Sequence, residues 1–96
     1  MMSKIPIKDD LGKMRKEDIN NEILRVGIIA ELDAISLYEQ LAAMASDKNI
    51  KKMLLDIAKE EKTHVGEFQT LLLNRDKEQV RELEAGRKEV QKEVGE

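Results

Sequence analysis

A carboxylate and an imidazole three residues apart on a helix project toward one place. Glu61 and His64 have that spacing, among Leu54, Ile57, Ala58, Val65 and Phe68. Glu31 lies among Leu24, Ile28, Ile35 and Tyr38, so its neighbours at −7, −3 and +4 are apolar. Seven residues advance a helix by two turns, to within about 20° of the starting direction, which puts Tyr38 on the face of Glu31. Neutral imidazole with carboxylates suits divalent iron and leaves coordination positions open for dioxygen. A carboxylate buried without a partner is costly, so a metal ion is a physically sensible companion for Glu31.

Each residue alone has a plainer explanation. Glu61 follows Glu60, and runs of charge are usually solvated. A single helical histidine is more often a surface or hydrogen-bonded group than a ligand, and Tyr38 can serve as core filler with its hydroxyl at the boundary. Jointly they weigh more, because the sole Tyr is in phase with Glu31 and the sole His with Glu61.

The elements that must carry these residues are helices. The chain has 96 residues, 41% hydrophobic and 39% charged with the signs interleaved, and its only proline is Pro6. Long amphipathic helices follow from that balance. Residues 1–16 read as an extended or loosely ordered arm. From Asp18, a plausible N-cap, a wide apolar stripe runs through Ile19, Ile23, Val26, Ala30, Ala34, Leu37 and Leu41. Ser46 to Asn49 break it, with Ser46 or Asp47 able to cap the next helix. A second stripe, from Ile50 through Met53, Ile57, Val65 and Phe68 to Leu72, ends near Asn74–Asp76. So short a loop makes the two helices antiparallel neighbours. The hairpin is predicted over 17–75. A segment at 76–96 is thinner in apolar groups, with Val80, Leu83, Val90 and Val94 supporting a short third helix that Gly86 interrupts. That segment is either solvated or a docking element. Gly27, one turn before Glu31 on nearly the same face, suggests a close helix approach or ordinary packing tolerance.

The expected architecture is therefore all-α, an antiparallel two-helix hairpin with a short C-terminal helix. Four-helix di-iron bundles take one Glu from each of two helices and Glu-x-x-His from each of two others. This chain offers one helix of each kind. A two-fold dimer would double Glu31, Glu61 and His64 into a complete set, and would cover apolar surface that so short a chain cannot bury alone.

Glu-x6-Tyr followed by Glu-x-x-His on a short two-helix chain resembles the encapsulated ferritins. ELDAISLYEQ at 31–40 and AKEEKTHVGEF at 58–68 carry the resemblance, which covers roughly residues 18–75. It implies a ferritin-like four-helix bundle formed by dimerisation. It also implies a ferroxidase centre with Glu31, Glu61 and His64 as iron ligands and Tyr38 just behind them, a catalytic set for oxidising Fe(II) with dioxygen. The implied cofactor is a di-iron pair at the dimer interface, and the implied assembly is a decamer of five dimers. The implied setting is cytoplasmic, inside an encapsulin nanocompartment whose shell protein is a partner. Asp33 matches an acidic position near the family's centre that helps attract metal. Some members carry an acidic residue before the first ligand and a Trp before the Tyr; Ala30 and Leu37 stand there here. These departures touch the secondary metal site and leave the core ligands intact. A C-terminal shell-docking peptide is not evident in AGRKEVQKEVGE, and in some archaea the resembling unit is fused ahead of the shell protein on one chain.

Glu60 is about 100° around the helix from Glu61 and is a candidate channel or secondary metal carboxylate, with Glu67 one heptad further on. The formal net charge of −3 argues against nucleic-acid binding. No apolar run approaches the roughly 20 residues of a membrane span. With no cysteine, thiolate-ligated metals and cysteine nucleophiles are excluded within these residues. Two rivals to a ferroxidase remain, a rubrerythrin-like peroxidase on the same bundle and a metal-free helical adaptor.

Overall fold

The computed structural model describes residues 15–95, so the predicted N-terminal arm falls, but for its last two residues, outside them. Three helices follow in order: α1 from Lys16 to Met44, α2 from Lys48 to Arg75 and α3 from Lys77 to Val94. No helix among the described residues is long and apolar enough to cross a membrane.

Helix α1 starts earlier than an Asp18 cap would allow. Arg15 occupies the capping position with an extended backbone and no side-chain cap bond. Asp18 instead lies in the first turn with Glu17, where negative charge is favourable beside the exposed N–H groups. Its carboxylate accepts from Nε of Arg15 across 3.1 Å. The next boundary is conventional. Asp47 caps α2, its Oδ1 accepting from the backbone N–H of Asn49 at 2.8 Å and of Ile50 at 2.9 Å.

Asp76 alone links α2 to α3. It caps α3 by accepting from the backbone N–H of Gln79 at 3.0 Å, and it accepts from Arg25 of α1 at 2.7 Å. Arg75 donates to Asn21 at 3.1 Å, a second tie between the end of α2 and the start of α1. The expected break at Gly86 does not occur, and α3 runs unbroken for 18 residues. One glycine weakens a helix without stopping it, and the Glu84–Arg87 ion pair, at 2.6 Å, spans that position. The helix stops at Gly95, whose positive φ of 78° gives the left-handed turn that glycine adopts without strain.

Helices α1 and α2 pack along their length, whereas α3 touches the hairpin chiefly at its own base. Leu24, Ile28, Ile35 and Ala42 of α1 share the inward face, as do Leu54, Ala58, Val65, Phe68 and Leu72 of α2, by helical phase. Among the described residues only Ala42, Ala58 and Leu72 are buried outright. Ile23 is 52% exposed, Ile50 56% and Met53 57%. Each helix thus has two apolar sides, one spent on its neighbour and one left open. In the angle between α3 and the hairpin lies an open groove of about 330 Å³, walled by Ile28, Ile29, Leu72 and Leu83.

Candidate metal centre

The antiparallel register places Glu31 of α1 opposite His64 of α2, with Glu61 one turn along. His64 Nδ1 lies 3.3 Å from Oε2 of Glu31 and 3.3 Å from Oε2 of Glu61. One ligand atom from each of the three residues falls within 4.8 Å of the others. The two carboxylates are largely covered, at 18% and 19% exposure, while the imidazole is 43% exposed. Among the described residues no lysine or arginine reaches either carboxylate, and the His64 ring is the group that lies against both.

Those distances say what the cluster is suited to hold. A single proton on Nδ1 could serve only one good hydrogen bond, and ordinary N–H···O contacts lie at about 2.9–3.0 Å. Two equal contacts at 3.3 Å are long for that purpose. For metal–ligand bonds of about 2.1 Å, adjacent donors on one ion stand about 3–3.5 Å apart. The spacing is that of one edge of a coordination shell, and two carboxylates with a neutral imidazole supply the charge a divalent cation needs. The donor set fits such an ion.

The remaining candidates lie outside this cluster. Tyr38 is half-buried two turns along α1 from Glu31. Asp33, only two residues from Glu31, leaves the helix on nearly the opposite side; its Oδ2 is covered and has no hydrogen-bond partner. Glu60 is exposed, as is Glu67. The sequence reading overlooked Phe68 as more than packing. Its ring lies against Gly27, where an added Cβ would stand 3.2 Å from three ring carbons. The close approach suggested by Gly27 is therefore real. The signal was available, since Gly27 precedes Glu31 by one turn and Phe68 follows His64 by one turn.

His64 also sits where the hairpin is unfinished. It shares a heptad row on α2 with Ile50, Ile57 and Leu71, and Ile50 and Leu71 are 56% and 54% exposed. The imidazole edge of the cluster thus opens onto uncovered apolar surface.

Comparison with known proteins identifies the family. The sequence pattern of the family described as Rubrerythrin matches residues 22–95. The chain is 62% identical over 74 residues to a ferritin-like–encapsulin shell fusion protein of Pyrococcus furiosus. That match takes in 77% of this chain, which spans only 21% of the fusion protein's length. The crystal structure of the encapsulated ferritin domain from Pyrococcus furiosus superposes with a TM-score of 0.85 at 51% identity, covering 100% of this chain and 98% of that one. With a shared fold and half its residues in common with that domain, the chain belongs to the rubrerythrin family, among its encapsulated ferritins.

Proposed function

We propose that this chain is a ferroxidase whose iron site is completed by a second copy of itself. The observation that carries the reading is the convergence of Glu31, Glu61 and His64 within 4.8 Å, at the edge of an apolar face left open. Glu31 and Glu61 bring negative charge to the position, and His64 brings a neutral nitrogen from the interface side. Two hairpins joined on that face double the set to four carboxylates and two imidazoles, the inventory of a di-iron bundle. A two-fold axis makes each contact occur twice, so one apolar row is covered by its own copy.

Iron is the substrate here, each Fe(II) giving up one electron to dioxygen when bound. The protein's share is to hold two ions at fixed separation, neutralise their charge and keep positions open. In this reading Tyr38, two helical turns from Glu31 on the same face, stands behind the ligands. Asp33 and Glu60 remain candidates for attracting cations from outside, because negative charge at an approach raises the local concentration of metal. The relative fused to an encapsulin shell supports work inside such a compartment with the shell as partner; the cytoplasmic setting and a ring of five dimers follow from the family resemblance of the sequence.

Stopped-flow oxidation of Fe(II) in air tests the proposal. Glu31→Ala and His64→Ala should each abolish the rapid phase, and unchanged kinetics in both would refute the assignment. The match to the Rubrerythrin pattern supports a second reading, in which the same site reduces peroxide. Consumption of peroxide faster than of dioxygen per iron would favour it. A metal-free adaptor would hold no stoichiometric iron after loading.

A further inference from the structure

Gly27 and Phe68 meet one helical turn from the carboxylate–imidazole cluster. A Cβ built on Gly27 would stand 3.2 Å from Cδ1, Cδ2 and Cε1 of Phe68. Three ring atoms at one distance place the face of the ring on the backbone of α1. Gly27 precedes Glu31 by four residues and Phe68 follows His64 by four. In an antiparallel pair both steps run the same way along the axis, so ring contact and ligand cluster are successive layers of one interface. The other helical glycines differ, since a Cβ at Gly66 or Gly86 would meet nothing within 4 Å.

A methyl group at position 27 would stand closer to the ring than ordinary packing allows, so ring or backbone must give by a few tenths of an ångström. Metal ligands tolerate about 0.2 Å of error in bond length. The displacement is therefore comparable with the tolerance of the site it adjoins. Glu31 is carried by α1 while Glu61 and His64 are carried by α2, so helix separation is the coordinate that opens or closes the cluster.

We infer that Gly27 is a positioning residue for the metal centre. By letting the Phe68 ring rest on bare backbone, it sets the helix spacing at which the three ligands converge on one ion. The inference rests on the metal-binding reading above. Co(II) titration of the whole chain, followed by visible absorption, tests it with far-UV circular dichroism as the check on folding. Gly27→Ala should stay helical, bind Co(II) about tenfold more weakly, in the range seen when support behind a ligand is lost, and show an altered visible spectrum. Adding Phe68→Leu, which replaces the flat ring with a narrower and more adjustable side chain, should restore affinity and spectrum. Binding by Gly27→Ala indistinguishable from the parent overturns the inference, as does a loss that Phe68→Leu fails to repair. A parent chain that binds no Co(II) overturns the metal-centre reading beneath it.

Discussion

Arg25 donates to Asp76 across 2.7 Å, tying the third turn of α1 to the single residue from which α3 departs. The same Asp76 accepts from the N–H of Gln79 at 3.0 Å, so one carboxylate both fastens and caps. Asp76→Ala removes both roles. We expect a loss of about 1–2 kcal/mol, mostly from the cap, because the Arg25 side chain is 43% exposed and the ion pair contributes little. Hydrogen exchange should show α3 fraying before the hairpin does. Protection in α3 unchanged from the parent would contradict that order.

Asp47 holds the other junction. Asp47→Ala should cost about 1 kcal/mol, whereas Asp47→Ser should cost little, since serine also caps helices well. Urea denaturation of the three proteins provides the comparison, and equal losses in both variants would mean that the carboxylate does more than cap.

On α3 the hydrogen bond from Arg87 holds the Glu84 carboxyl below the usual carboxylate range. A lowered value in the folded state means that the charged form is favoured on folding. The contribution is complete above the ordinary Glu value of 4.5 and disappears as pH falls through the lower folded value. Glu84→Gln should therefore be slightly less helical than the parent near neutrality, with the two circular dichroism signals merging in acid. A gap that widens below pH 4 would reverse the sign and refute the assignment.

The open face of the hairpin can be tested directly. Met53 is 57% exposed beside the His64 row, and Met53→Glu should keep the helices while preventing self-association in sedimentation experiments. If two copies share the metal, Fe(II) or Zn(II) should strengthen association of the parent by mass action. The same ions should leave Met53→Glu monomeric. Association insensitive to metal would place the site within one subunit.

The hairpin was legible in the sequence because two long apolar stripes with a short polar break admit few other arrangements. The juxtaposition of Glu31 with Glu61 and His64 was legible for a related reason, as spacing on each helix plus an antiparallel register leaves little freedom. The helix starts were less so. An Asp at position 18 looks like a cap until Arg15 offers it a partner within the first turn, and local sequence does not weigh those two options. Gly86 misled through propensity, which is a small penalty spread over a helix of 18 residues. The Arg25–Asp76 tie was invisible because it joins residues 51 apart in sequence, and only the path of the chain brings them together.

Ala42, Ala58 and Leu72 are the residues fully buried among those described. With so slight an interior, a chain whose open face is covered by a second copy, as proposed above, takes much of its solidity from that copy. Dilution should therefore act on this chain much as warming does, and crowding its copies into a small volume should act as an added core.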